Sequence, residues 1–534
     1  MIDDQTNEPE TELTTPEVDD FAASIVGGFT QAGSAEPSPA TSAVVDLGQH
    51  HRFLPASITL DAPVPGPKEP DKVARFLLFL FADAGLHLKH WRDEWYLYRE
   101  GATGAHTRLG GADNRYAVAD AVRFLLTDAT YIVPTKDGPE PRAWNPSTAS
   151  IREVVEAMAS QMRLPESFEA GVWLRRSEAA DTMPGEEITC VRNGLLWCPR
   201  EGGREARTLV DHSPEFFTDT AVVVPYEPEA RADRWMKFLD ELWPGDEDSH
   251  ALLQEWFGYV LTGGTGLHKI MTLVGPKRSG KSTIAWALEQ LLGGTGQVDH
   301  PTMARLAEPF GLAPMMGKRL AIVGDARIGK SDAAIVEKLL MISGEDPVTV
   351  NRKNRDELNV KMNARIMIIS NDMPDLRDVT GALASRFLPL EINVQGFLGR
   401  EDFNLKRTLG DELPGIFRWA LDGADRLWDR EGRFTIGEAV RKSMEDVERS
   451  SSPIKAFAAD WLAFDPSPDA VSPKDAVYEA YALWTTDAGY GVKGKNVFFR
   501  ELLAAYRGQL DTSRNRVDGK QVQMLKGARL RSGI

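Results

Sequence analysis

The sequence predicts an α/β fold: a strand–loop–helix core, an α+β region before it and a helical, basic module after it. Three observations predict this. Met271–Leu292, MTLVGPKRSGKSTIAWALEQLL, reads as an apolar strand, a glycine-rich loop and a helix from about Ser282. Two more apolar runs, ending at Asp325 and at Asn371, are continuous rather than alternating, as strands buried on both faces are. The charge is also uneven. Residues 1–72 hold thirteen Asp/Glu against three Lys/Arg, whereas Val471 to the end holds eleven Lys/Arg against six Asp/Glu.

The glycine-rich loop fits G-x-x-x-x-G-K-[ST] at every fixed position, Gly275, Gly280, Lys281 and Ser282, with Pro276, Lys277, Arg278 and Ser279 between and Thr283 after. Glycines let a backbone fold closely round phosphates with its N–H groups inward. The following helix adds a partial positive charge at its N-terminus. In this motif the lysine reaches the β- and γ-phosphates and the hydroxyl ligates Mg²⁺, so ATP and Mg²⁺ are the expected cofactors. A chance glycine-rich turn would lack the flanking strand and helix. The loop alone does not say what the energy of hydrolysis is used for.

The chain has 534 residues, room for two to four domains. Its two cysteines, Cys190 and Cys198, argue against a disulfide scaffold and suit a reducing cytoplasm. Neither their C-x₇-C spacing nor the ligand count with His212 fits zinc. No run reaches the roughly 20 apolar residues of a membrane span, and the acidic start is unlike a signal or transit peptide. The net charge of −17 lies mostly in the first 72 residues, which carry −10. The total is therefore a poor guide to nucleic-acid binding.

Residues 1–72, rich in acids, Pro, Ser and Thr, are expected to be a disordered acidic tail. An α+β domain is expected over 73–232. It begins with a buried helix, VARFLLFLFADAG, and a strand at Glu94–Tyr98, then helices from Tyr116 and after a cap at Ser147 or Thr148. A hairpin is expected about Asn193-Gly194. Trp91, Trp95, Trp144, Trp173 and Trp197 could stack on bases, although core packing is the commoner fate. A helical collar spans 233–265 and stops at Gly263-Gly264.

The nucleotide domain is placed at 266–432. Asp325, ending one strand, is a candidate metal-side carboxylate, against an ordinary acidic turn. Asn371, ending another, is placed to sense the γ-phosphate or the attacking water, although Asn is also a common turn residue. Arg386 is a candidate arginine finger, against a structural arginine. Arg352, Lys353 and Arg355 cluster beside β-formers, which suggests a hairpin with a basic tip that contacts phosphates of single-stranded DNA. The alternative is a solvated charged loop.

With these residues in place, the chain resembles the superfamily 3 helicases. The resemblance is closest to the phage and plasmid primase-helicase group that includes the poxvirus D-type nucleoside triphosphatase. It is carried by GPKRSGKST, KRLAIVGDAR, ISGEDPVTVNRKNR, IMIISND and GALASRF, with intervals of 44, 46 and 15 positions from Lys281 to Asp325, Asn371 and Arg386. Upstream, VRNGLLW, DHSPEFF, VPYEPEA and LQEWFGYVLTGG are also similar to the domain preceding this helicase, so the resemblance covers about Trp91 to the C-terminus. It implies a P-loop AAA+-like ATPase core and a homo-hexameric ring that moves 3′→5′ on single-stranded DNA at a replication fork. In it, Arg386 acts in trans and Lys353, with Arg352, tracks DNA. A cytoplasmic location is expected, that of a bacterial host if the chain is phage-encoded, and no membrane partner. Many relatives end the second strand with paired acids or a glutamate. Gly324-Asp325-Ala326 departs from this, and Glu345 and Asp346 are unsupported candidates for the general base.

Residues 433–534 read as helices followed by a β-prone basic tail with Arg514, Arg516, Lys520, Lys526, Arg529 and Arg531. That order is similar to a winged-helix module, against a small basic helical cap. The expected function is an ATP-dependent DNA helicase of phage or plasmid replication. Two alternatives stand beside it: a bifunctional primase-helicase, and an origin-binding or loading ATPase without unwinding. Residues 73–180 are short for a primase fold and show no D-x-D pair with a companion His, so a separate primase or polymerase is the expected partner.

Overall fold

The computed structural model describes residues 53–531 apart from 56–57, 61–62, 110–115, 265, 325–332, 354–355, 374–382, 393–396, 398, 400–401, 488–490 and 518–519. Most of the acidic tail, Asp325 and Arg355 lie outside the described residues. The stretch from Phe53, grouped above with the tail, instead adds Phe53, Ile58 and Val64 to a buried core, and Phe53 meets Phe81 edge-on at 6.0 Å. Prolines interrupt this stretch, so it carries no periodic signal.

The N-terminal module begins with helix α1 (Pro70–Asp83), which has Pro in its first turn, where the missing N–H costs nothing. Val73, Ala74, Leu77 and Phe81 share one buried face, while Phe79 on the other is 75 % exposed. The helix is thus amphipathic rather than buried all round. Strands β1 (Leu86–Trp91), β2 (Glu94–Arg99) and β3 (Thr107–Leu109) form an antiparallel sheet. Arg92 and Asp93 make the β1–β2 turn, both with positive φ (52° and 61°), as a two-residue hairpin turn requires. Helix α2 (Ala117–Thr127) and the hairpin β4 (Thr130–Thr135) with β5 (Gly138–Ala143) follow. Helix α3 (Thr148–Met162) starts at a capping box: Ser147 Oγ accepts from Ser150 N, and Ser150 Oγ accepts from Ser147 N. Trp91 and Trp144 are core residues.

A second small sheet holds β6 (Ile188–Val191), β7 (Gly194–Trp197) and β8 (Thr208–Val210); the expected hairpin forms, with its turn one residue earlier, at Arg192-Asn193, and Gly194 paired with Val191. Helices α4 (Asp233–Leu242) and α5 (Glu247–Thr262) follow. Asp246 caps α5, and Gly263, in the left-handed region at φ 98°, ends it.

The centre is a five-stranded, wholly parallel sheet. Its strands are β9 (Ile270–Val274), β10 (Val298–Asp299), β11 (Leu320–Gly324), β14 (Arg365–Ser370) and β15 (Phe387–Glu391), in spatial order β10-β11-β14-β9-β15. Between them lie α6 (Lys281–Leu291), α7 (Ala333–Ser343) and a hairpin of β12 (Val348–Val350) and β13 (Leu358–Val360). Alternate residues feed two cores. Met271, Leu273, Ile322, Met367 and Leu388 face α4, α5, α6 and helix α9 (Leu413–Asp429). Ile270, Ala321, Val323, Ile366 and Ile368 face α7 and the β12–β13 hairpin. The first core runs from Val191 to Val440, across the expected boundaries at 232, 265 and 432.

Two glycines let α5 and α9 approach closely. A Cβ on Gly258 would lie 2.5 Å from Ala420 O, and one on Gly423 2.4 Å from Gln254 O. Beside this contact Glu255, fully buried, accepts from Arg426 Nε (2.8 Å), Thr435 N (2.6 Å) and Thr435 Oγ1 (2.7 Å).

Helix α8 (Leu405–Asp411) precedes α9, and α10 (Glu438–Ser451) packs along the edge strand β15, where Ser443 Oγ donates to Glu391 Oε1 at 2.7 Å. The C-terminal module comprises α11 (Pro453–Trp461), β16 (Leu462–Phe464), β17 (Val471–Pro473), α12 (Lys474–Asp487) and α13 (Lys495–Ala505). It ends with β18 (Asp511–Val517), β19 (Lys520–Lys526) and β20 (Ala528–Leu530). The β18–β19 hairpin is antiparallel, and Tyr481 stacks on Phe498 at 4.1 Å in the module's own core. No helix among the described residues is long and apolar enough to cross a membrane.

Two outcomes follow. Gly423→Ala forces the α5–α9 contact apart and is expected to cost about 1–3 kcal/mol, read as a lower denaturation midpoint. His106, 1 % exposed between Tyr98 and Phe217, has no partner at either ring nitrogen. Burial pushes it down to about 3. The unfolded chain therefore takes up a proton there below about pH 6.5 that the folded chain refuses. Stability from this group is present above that pH and is lost as pH falls toward 3. His106→Phe should flatten that part of a stability–pH curve.

Candidate functional site

The glycine-rich loop leaves the carboxyl end of β9, and its path is fixed by backbone contacts. Gly275 N donates to Ser370 O at 3.3 Å, and Ile392 N donates to Val274 O at 2.8 Å. A Cβ on Gly275 would stand 2.8 Å from Ile392 O, so the close approach excludes a side chain. Arg278 (φ 60°) and Gly280 (φ 93°) turn the chain back into α6. Phe238 and Leu242 of α4 support the turn from behind, about 3 Å from where a Gly280 Cβ would lie.

Gly280 is the N-cap of α6 and brings no side-chain cap. The first-turn N–H groups of a helix have no intrahelical acceptor, so this end suits an anion. Lys281 opens the helix and is 6 % exposed. Its Nζ donates to Gly275 O (2.6 Å), Pro276 O (2.7 Å) and Ser279 Oγ (3.3 Å), all oxygens of its own loop. Burial draws the ammonium below its ordinary range. Pro276, Lys277 and Arg278 form the exposed rim, and Ser282 is exposed, with Thr283 half-buried beside it.

The sheet register brings Asn371 to this edge and ends β11 beside it. Val274 lies opposite Ser370, so Asn371 follows on the strand adjoining the loop. Ile369 in turn lies opposite Gly324, the residue that precedes Asp325 in the chain.

Arg386 lies elsewhere. It precedes β15, whose first residue, Phe387, is opposite Ile270 at the start of β9. The loop leaves the other end, about 13 Å further at ~3.3 Å per residue. Arg386 Nη1 donates to Ser343 Oγ at 2.8 Å and to Leu340 O, at the C-terminal end of α7. Lys269 Nζ holds the preceding carbonyl, Ser385 O, at 2.8 Å. Arg386 and Lys281 of one chain thus occupy opposite edges of the sheet.

Arg352 and Lys353 lie in the β12–β13 connection, where the sequence predicts a basic tip. Lys353 is exposed, whereas the Arg352 side chain is only 11 % exposed and its Nε donates to Asp356 O at 3.1 Å. Glu345 is paired with Lys361 at 2.7 Å. In the C-terminal module Arg514, Arg516, Lys526, Arg529 and Arg531 are exposed. Arg514 and Arg516 lie opposite Gln523 and Gln521 on the β18–β19 hairpin.

Sequence reasoning missed the groups that set the frame. Both carboxylate oxygens of Glu412 accept from the first turn of α4, at Arg234 N and Trp235 N, each at 2.9 Å. Arg319 Nη1 donates to Leu261 O, and Arg365 Nη2 to Gly264 O, at the carbonyl end of α5. Burial pushes Arg365 down to about 10, and its guanidinium lies 5.1 Å from the Tyr259 ring. A cation at a helix C-terminus is favoured by the helix dipole. The only available signal was an arginine opening each apolar strand.

Among known proteins, residues 273–386 match the model of a family of unknown function, DUF5906. Among solved structures, the chain is similar to the apo structure of the NrS-1 C terminal region. That match has 13 % identity and a TM-score of 0.49, over 85 % of this chain and 98 % of that one. An A form apo structure of the same region matches with 12 % identity and a TM-score of 0.46, over 84 % and 98 %.

Proposed function

We propose that the chain is an ATP-dependent DNA helicase of phage or plasmid replication, with a P-loop AAA+-like core that works as a homo-hexameric ring on single-stranded DNA. The observation that carries this reading is the loop at the carboxyl edge of β9. It has an uncapped helix N-terminus, a buried lysine whose partners are loop oxygens, and the strand ending at Asn371 alongside. These residues fit a polyphosphate. Lys281 would exchange loop oxygens for phosphate oxygens, and the backbone N–H groups of 277–282 would face the same anion.

Ser282, with the carboxylate of Asp325, would hold Mg²⁺, which neutralises charge on the phosphate oxygens when bound. Asn371 would orient water or sense the terminal phosphate. Arg386, at the opposite edge, would serve the nucleotide of a neighbouring copy. Lys353, with Arg352 and Arg355, would contact the phosphate backbone of the strand being moved. The C-terminal strand–helix–helix–hairpin order supports a winged-helix-like module with Arg514 and Arg516 on its wing.

The test is ATP-driven separation of a duplex carrying a 3′ single-stranded tail, with Lys281→Ala in parallel. Separation by the wild type and none by the variant is expected. ATP hydrolysis stimulated by single-stranded DNA without any strand separation would overturn the helicase reading in favour of a loading or origin-binding ATPase.

A further inference from the structure

We infer that the β1–β2 turn of the N-terminal module is an acidic rest for the basic hairpin, which Arg352 occupies until nucleic acid displaces it. The inference rests on the proposal that this hairpin contacts nucleic acid.

The turn is braced from within. The Arg92 guanidinium lies 4.1 Å from the Trp91 ring centroid and pairs with Glu169 at 2.9 Å. It also donates to Phe168 O (3.3 Å) and Glu166 O (3.4 Å). Its charge is thus directed inward, and the turn presents the Arg92 carbonyl and the Asp93 carboxylate outward. Arg352 meets both: Nη1 donates to Arg92 O at 3.4 Å, and Nη2 stands 3.9 Å from Asp93 Oδ2. A second contact lies close by in the fold, where Asn363 Nδ2 donates to Glu169 Oε2 at 3.5 Å. Glu169 therefore joins the braced turn to the approach of β14, and Arg352 joins it to the hairpin.

A planar guanidinium facing two oxygens, one of them anionic, is the arrangement a phosphodiester also offers. The contact is long, and Asp93 is 63 % exposed, so it is weak and salt-sensitive. A dense phosphate backbone can displace it. One guanidinium does not serve both partners at once. Binding a strand would then release the hairpin from the N-terminal module, so the module restrains the hairpin only in the unliganded chain.

The test uses the full chain and a fluorescent single-stranded oligonucleotide at low salt. Asp93→Ala is expected to bind about two- to fivefold tighter, the worth of a weak ion pair. The gain should vanish when Arg352→Ala is added. Asp137→Ala, the same charge change in the β4–β5 turn, should give none. Without oligonucleotide, hydrogen exchange across 348–360 should quicken in Asp93→Ala. Unchanged exchange there, or an equal gain from Asp137→Ala, overturns the inference. Affinity that depends on neither Arg352 nor Lys353 overturns the nucleic-acid reading of the hairpin itself. Dependence on them without a gain from Asp93→Ala overturns only the rest.

Discussion

The parallel register of three adjacent strands holds the candidate site together. Val274 opposite Ser370, and Ile369 opposite Gly324, bring the glycine-rich loop, the strand ending at Asn371 and the strand leading to Asp325 to one edge of the sheet. In open α/β sheets that carboxyl edge is where ligands bind. A one-residue slip in β14 would move its end away from the loop and exchange its two apolar faces. The register is protected because both faces are buried: Ile366 and Ile368 in one core, Met367 in the other.

The collar helices then fix the sheet from outside. Helix α5 is held at its start by Asp246 and at its end by arginines that open β11 and β14. Its flank meets α9 through Gly258 and Gly423, and Glu255 gathers Arg426 and Thr435 beside that contact. Helix α4, capped by Glu412, places Phe238 and Leu242 behind Gly280. The loop thus stands on a packed support, which suits a site that must present N–H groups in a fixed cradle.

Much of this was legible because the signals were local. The strand–loop–helix at Met271, the Ser147 cap, the hairpin about Asn193 and the stop at Gly263 each depend on a few neighbouring residues. What escaped depends on distant partners. Nothing near Glu412 in the chain marks it as the cap of a helix 177 positions earlier. Phe53, Ile58 and Val64 are buried by tertiary contact and show no period. The β4–β5 hairpin contains Pro134, Pro139 and Pro141, residues that argue against a strand in sequence. The order of motifs also did not show that Arg386 and Lys281 lie at opposite edges, since that depends on strand direction and order.

That separation of Lys281 and Arg386 bears on chemistry. The lysine is bonded to oxygens of its own loop, so in the proposed function it serves the chain's own nucleotide, while the arginine, bonded at the far edge, would serve that of a neighbouring copy. The most direct measurement is ATP binding and hydrolysis by wild type, Lys281→Ala and Arg386→Ala. Lys281→Ala is expected to lose hydrolysis and most of its affinity, whereas Arg386→Ala should still bind ATP but hydrolyse it slowly. Wild-type binding and hydrolysis in Lys281→Ala would contradict this expectation.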